Sequence, residues 1–392
     1  MTAETPTETR ATDDTNDTNN VNDTNDTNNV NDTNDTNNVN DTNDTDDTTD
    51  ATDATDANDA NAVTWGIELT PEHPPEEVAS LASLAEDEGF DVALASSHYF
   101  NRDPFVTLSQ MAEATDDIRL GPGVVNPYET HPVKLAAQTA TIDEISDGRA
   151  VFGVGAGDRS TLANLGIERE KPLRRVLETF TLAADLWDGQ TVTREGVVTA
   201  RDASLNLEPP SEKIPTYVGA QGPHMLRMSA KHADGVLINA AHPRDLEWAA
   251  GQLEQGLDER PDEYGPFESL AFASVSVAGD EDAAREAARP PVAFIVGGAA
   301  EPVLERHSID REAAGAVSDA LERGELTEAF GHVTPEMIDA FCIAGTTDTV
   351  ADRFEAALEH VDGIVVGSPL GPDLEDAIER ASEALSIATA DR

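Results

Sequence analysis

Val151–Gly166 reads VFGVGAGDRSTLANLG, with glycines at alternate positions (Gly153, Gly155, Gly157) after an apolar run and before a stretch able to open a helix. Two architectures put glycines in such a place. A dinucleotide-binding fold uses G-x-G-x-x-G, followed about 20 residues later by an acid at the end of the next strand. Here the order is G-x-G-x-G-D. The acid at the corresponding distance, Glu178, falls in RRVLETFTLAADLW, which has helical spacing and no strand character. The spacing speaks against a dinucleotide fingerprint and for the mouth of another α/β architecture.

The chain on either side has that form. Short apolar runs recur as VTWGIEL from Val63, VALAS from Val92, IRLGPGVV from Ile118, RAVFGVG from Arg149, TYVGA from Thr216, GVLIN from Gly235, LAFASVSVA from Leu270 and GIVVGSP from Gly363. Amphipathic stretches such as PEEVASLASLAEDEG and DTVADRFEAALEHV separate them. Strands alternating with helices in this number predict an α/β fold, a (β/α)8 TIM barrel, with a doubly wound sheet as the alternative. The domain expected is a single barrel over 63–392. Its excess length sits in a hairpin-like piece around TVTREGVVTARDASL and in a helical insertion near 280–345. In a barrel, the chemistry belongs at the C-terminal ends of the strands. The runs end there in Glu68, in SSHY (Ser96–Tyr99), in GPGVVNPYETHP, in GAGD, in GAQGP and in NAAHP. Glycine followed by a helix start exposes backbone N–H groups, which suits an anionic ligand.

Residues 1–62 are of another kind. The unit NDTNDTNNV repeats from Asn22 and offers almost nothing apolar to offset the entropy of ordering, so a disordered acidic tail is expected. The tail holds 17 acids and one base, which leaves 60 acids and 24 bases, a net of −36, in the remainder. Such a surface repels nucleic acid and anionic membranes, so neither is expected as a partner. Concentrated salt would screen it, because the screening length falls to about 3 Å at 1 M. A cytoplasmic protein of a high-salt cell is the expectation. The single cysteine, Cys342, excludes an internal disulfide and any multi-cysteine metal site. Its surroundings, MIDAFCIAG, read as an apolar helix in which it packs into a core.

Taken in order, WGIEL, LGPGVVNPYETHP, GVGAGD, VGAQGPHML, ADGVLINA, VAFIVGG, VLERHSID, FCIAG and VVGSPLGP resemble the 5,10-methylenetetrahydromethanopterin reductase family of the bacterial-luciferase-like superfamily. The resemblance spans about Val63 to Leu385. It implies a luciferase-like barrel that transfers hydride from reduced coenzyme F420 to the methylene carbon of a tetrahydropterin, giving the methyl form. It also implies neither flavin nor metal, and a homo-oligomer, dimer or tetramer. An F420-dependent dehydrogenase of an alcohol or sugar, a flavin-dependent monooxygenase and a non-catalytic coenzyme-binding barrel are the alternatives.

The resemblance also implies roles for residues. Glu68 and Asp158 match acidic positions and stand as the catalytic pair. A methylene bridge between two nitrogens must open before it accepts hydride, and opening needs a proton at the departing nitrogen. A carboxylic acid whose pKa is raised by burial can supply it. His98, Gly123, Val124, Asn126, Gly155, Gly157 and Asn239 are expected around the coenzyme, with a non-prolyl cis bond at Gly123–Val124. Gly219, Ala220, Gln221 and Gly222 match the turn that holds its phosphate. The family usually carries an acid where Ser97 stands and a longer loop after Gly166.

Overall fold

The eight apolar runs form parallel strands in a computed structural model that describes residues 63–390 and 392. The repeat read above as a disordered tail lies outside the described residues. In chain order the strands are β1 (Thr64–Leu69), β2 (Val92–Ala95), β3 (Arg119–Pro122), β4 (Phe152–Gly155), β5 (Val192–Glu195), β6 (Thr199–Ala203), β7 (Thr216–Ala220), β8 (Gly235–Asn239), β9 (Glu268–Val277), β10 (Ile343–Gly345) and β11 (Gly363–Leu370). The main sheet runs β3-β2-β1-β11-β9-β8-β7-β4, and its two ends meet through parallel bridges from Leu120 to Ala150 and from Val125 to Val154. A sheet whose ends meet is a barrel, and the doubly wound alternative falls. β5 and β6 pair antiparallel as a separate hairpin, and the short β10 adds alongside β9.

Helices α1 (Pro75–Asp87), α2 (Pro104–Ala114), α3 (Pro132–Ile145), α4 (Arg159–Asn164), α5 (Pro172–Trp187), α6 (Pro223–His232) and α7 (Pro243–Leu257) fill the crossovers up to β9. After β9 come α8 (Glu281–Gly298), α9 (Glu301–Arg306), α10 (Arg311–Glu322), α11 (Leu326–His332) and α12 (Pro335–Phe341), then α13 (Thr347–Leu358) and α14 (Leu374–Thr389). Many of these helices open on proline: α1, α2, α3, α5, α6, α7 and α12 all do. Proline at the first helical position arrives with its φ already set and lacks only an N–H that would have no partner there.

The strands divide their side chains by period two. Val92, Leu94, Leu237, Leu270 and Val365 turn inward and pack with Tyr217 and Val151 as the barrel interior. Ala93, Ala95, Val236, Ile238, Ile364 and Val366 turn outward against the helices and join the main core. Each large aliphatic side chain removed from water there contributes about 1.5–3 kcal/mol.

The helices after β9 own a second core, built on Val292, Val296, Val317, Met337 and Ile338. Cys342 belongs to it and is fully buried, which pushes its thiol up to about 12. It does not lie in a helix, as its apolar neighbours suggest. It ends α12 in an extended conformation (φ −142°, ψ 141°), and the next residues enter β10. Among the described residues no helix is long and apolar enough to cross a membrane.

Candidate active site

A cavity of about 740 Å³ opens at the C-terminal ends of the strands, between the mouths of β2, β3, β4, β7 and β8. Its floor is apolar and half glycine: Gly123, Val124, Gly155, Gly219, Leu237 and Phe272. Val124 accounts for part of this. A Cβ on Gly155 would stand 2.7 Å from Val124 Cγ2, so the strand beside that side chain must be glycine. The Gly123–Val124 peptide bond is cis, as the resemblance implies.

Glu68 belongs to the barrel and not to the cavity wall. It follows Gly66 by two residues on β1 and so shares its inward face. On the adjacent strand β11, Gly367 leaves room for it, because a Cβ there would meet Glu68 Oε2 at 2.8 Å and Phe272 Cε1 at 3.6 Å. The carboxylate thus lies beside Phe272, which itself floors the cavity. Burial raises the Glu68 pKa, against the opposing hydrogen bonds from Ser368 and Ser96. The Ser368 amide donates to Oε2 at 3.1 Å.

Asp158 is on the wall, and it also caps a helix. The Thr161 N–H donates to its Oδ1 at 2.8 Å, and the Ser160 hydroxyl donates to the same oxygen. Burial works to raise its pKa, but these bonds outweigh burial and hold it below the ordinary aspartate value. The two carboxylates therefore sit in opposite environments. His98 shares the wall; its Nδ1 accepts from the Phe100 N–H at 3.4 Å, leaving Nε2–H for Thr161 Oγ1 at 3.3 Å.

Asn126 lines the cavity while holding its own loop. Its Oδ1 accepts from the Tyr128 and Glu129 amides at 3.1 Å each, and its Nδ2 donates to Glu129 Oε1 at 2.7 Å. Gly157 follows β4 at φ 68°, where a Cβ would press on Leu162 and on Asn126 at 3.2 Å. Opposite, Ala220, Gln221 and Gly222 lead into α6 at the cavity edge. No side chain caps α6, whereas Asp158 caps α4 and His242 caps α7. Asn239 lines the same edge, and its carbonyl accepts a long bond of 3.5 Å from Gln221 Nε2.

The cavity thus gathers the residues expected around the coenzyme together with Asp158, while Glu68 is not part of its lining and lies at the mouths of β1, β2 and β11, beside Ser96 and Ser368. It also holds Glu129, Arg169 and Phe272, none of them anticipated. Phe272 was concealed in a mostly apolar strand run, LAFASVSVA. Arg169 had a signal, as one of few bases in an acidic chain. Among the described residues no group of three or more His, Cys, Asp or Glu side chains is placed to hold a metal ion.

The family model for luciferase-like monooxygenase matches residues 58–362. A 5,10-methylenetetrahydromethanopterin reductase of Archaeoglobus fulgidus is 43% identical over 321 residues, which cover 80% of this chain and 96% of the relative. The chain belongs to the 5,10-methylenetetrahydromethanopterin reductase family. A second member of that family, from Methanopyrus kandleri, is 40% identical over 334 residues, 81% of this chain and 96% of its own. The solved F420-dependent tetrahydromethanopterin reductase of Methanopyrus kandleri superposes with a TM-score of 0.76 at 39% identity, covering 82% of this chain and 97% of that one. An F420-dependent secondary alcohol dehydrogenase solved with an F420–acetone adduct has a TM-score of 0.69 at 19% identity, over 83% and 99%, a likeness of fold alone.

Proposed function

We propose that the chain catalyses the F420-dependent reduction of 5,10-methylenetetrahydromethanopterin, or of its tetrahydrofolate equivalent, to the 5-methyl form in one-carbon metabolism. One observation carries the reading. Relatives that are this reductase match about four-fifths of the chain, and that stretch folds around a cavity with a glycine-rich apolar floor and an uncapped helix at its edge. Reduced coenzyme F420, when bound, supplies the hydride.

The floor suits a planar ring, since three of its residues, Gly123, Gly155 and Gly219, carry no side chain and the others, Val124, Leu237 and Phe272, are apolar. The start of α6, with Ala220, Gln221 and Gly222, would hold the phosphate on backbone N–H groups that no side chain caps. His98, Asn126, Gly157 and Asn239 border the ring site.

The two carboxylates divide the remaining work. Glu68, whose pKa burial raises, is assigned to protonate the departing nitrogen as the methylene bridge opens. Asp158, held ionised by Ser160 and Thr161, orients the pterin ring and stabilises the cation that opening produces. Opposed environments for a pair of carboxylates are what an acid and an electrostatic stabiliser require. We further assign the protein to the cytoplasm of a high-salt cell, as a homo-oligomer working with neither flavin nor metal.

The test is an anaerobic assay of coenzyme oxidation with each methylene carrier in high salt, preceded by absorbance titrations with F420 and with a flavin. Turnover with one carrier and binding of the deazaflavin are expected. Binding of the flavin alone, or F420 binding with neither carrier reduced, would refute the reading.

A further inference from the structure

We propose that Arg169, Lys171 and Arg175 form a docking strip for the anionic tail, carboxylate or phosphate, of a ligand whose ring occupies the cavity. The proposal rests on the reductase reading above. Acids outnumber bases 60 to 24 after residue 62, so a cation at the surface is surrounded by possible partners. Two cations on the same part of the surface use them: Arg174 pairs with Glu178 at 2.5 Å, and Arg194 with Asp185 at 2.5 Å.

The three residues of the strip have no carboxylate within ion-pair distance among the described residues. Arg169 is on the cavity wall, and one of its amines donates to the Gly157 carbonyl at 2.9 Å. Arg175 lies over the Tyr128 ring, 4.7 Å from its centre, and its buried Nε has no hydrogen-bond partner. Between them, exposed Lys171 precedes α5 in a left-handed conformation (φ 48°). Pro172 and Leu173, next along the chain, line the cavity.

A protein of such net charge repels an anionic ligand at long range. In concentrated salt that field is screened within a few ångströms, and only charges in contact with the ligand act on it. Guanidinium groups free of internal carboxylates are suited to that contact, because they grip carboxylate or phosphate through paired hydrogen bonds. The coenzyme and the pterin carriers both end in acidic groups, and either tail has the required chemistry.

The substitutions Lys171→Glu and Arg169→Gln test the strip in the full chain at one salt concentration. Three quantities are read: KM for the methylene carrier, Kd for F420, and Kd for the deazaflavin ring compound that lacks phosphate and glutamates. Lys171→Glu is expected to weaken one tailed ligand about fivefold, the size of a partly exposed ion pair, and to leave the tailless ring unaffected. The ligand that responds identifies the tail. Arg169→Lys should recover part of what Arg169→Gln loses. Equal weakening of tailed and tailless ring, or no change in any of the three, would overturn the proposal and leave these residues as braces for their loops. A wild-type protein that turns over neither carrier would refute the reductase reading, while the comparison of F420 with the tailless ring would still decide the strip.

Discussion

The two ends of the barrel use polar groups in opposite ways. At the N-terminal end they are joined to one another. Asp91, Asp234 and Asp362 each precede a strand and accept the amide of a residue at the start of the neighbouring one: Trp65 at 2.7 Å, Thr216 at 2.9 Å and Ser269 at 2.8 Å. Glu268 receives the hydroxyls of Thr64 and Tyr217, and Arg119 reaches the Tyr217 oxygen at 3.3 Å. At the C-terminal end α6 is uncapped, the floor is glycine, and Arg169 faces the cavity without a carboxylate. Polar groups at one end hold strands together, whereas at the other Asp158, Asn126 and His98 brace their own loops and the first amides of α6 are left without a side-chain acceptor. The lesson is that substitutions at the mouth should cost rate or affinity, and substitutions at the base should cost stability.

The largest effect is expected at Glu68. Glu68→Gln keeps the shape and removes the proton, so kcat should fall about 10²–10⁴-fold with the unfolding midpoint and the F420 Kd unchanged. Full activity in a single turnover would move the proton donor to His98 or to a bound water. Asp158→Asn comes next. Asparagine caps a helix as well as aspartate does, so the fold should hold. KM for the carrier should rise and kcat fall, together about 10–100-fold in kcat/KM, as the charged contact is lost. A change in kcat alone would exchange the two roles.

At the base, Asp362→Ala removes the acceptor of both the Ser269 amide and its hydroxyl, which bond to it at 2.8 and 2.7 Å. Denaturant titration should show a loss of about 1–3 kcal/mol with kcat preserved. A rate loss without a stability loss would break the comparison.

How far this division was legible in the sequence depends on the range of the interactions. Strand runs and glycine-marked mouths are local, and they were enough for the barrel and for the position of the cavity. The environment of Glu68 is not local. It depends on Ser368, 300 residues away, and on the absence of a side chain at Gly367. Asp158, expected from the sequence as one of a catalytic pair, lies on the cavity wall, and the structure also makes it the cap of α4. For Cys342 the apolar neighbours have helical character, but α12 stops before it because its next residues find a partner strand in β9.

The smallest effect expected is on acid stability, where the helices after β9 meet the mouth. His242 and His307 lie 4.8 Å apart, and Asp245 binds His307 at 2.7 Å and Arg306. Burial, and then the neighbouring His307 and Arg353, push the His242 pKa down to about 4 from its ordinary 6.5. In that interval the unfolded chain takes up a proton that the folded one refuses, so stability falls as pH drops from 6.5 toward 4. Asp245, lowered despite its burial by the bonds from His307 and Arg306, continues the loss at still lower pH. His242→Gln should flatten the upper part of this slope in thermal melts taken across pH. An unchanged slope would place the titrating group elsewhere.

Direct hydride transfer to a pterin-bound methylene carbon at the mouth can be followed with reduced coenzyme F420 bearing deuterium at the donating ring carbon, mixed anaerobically with the methylene carrier and the protein in ordinary water. A methyl product that carries one deuterium per molecule, formed in step with coenzyme oxidation, is expected. Deuterium lost to solvent, or coenzyme oxidised with no methyl product, would rule direct transfer out.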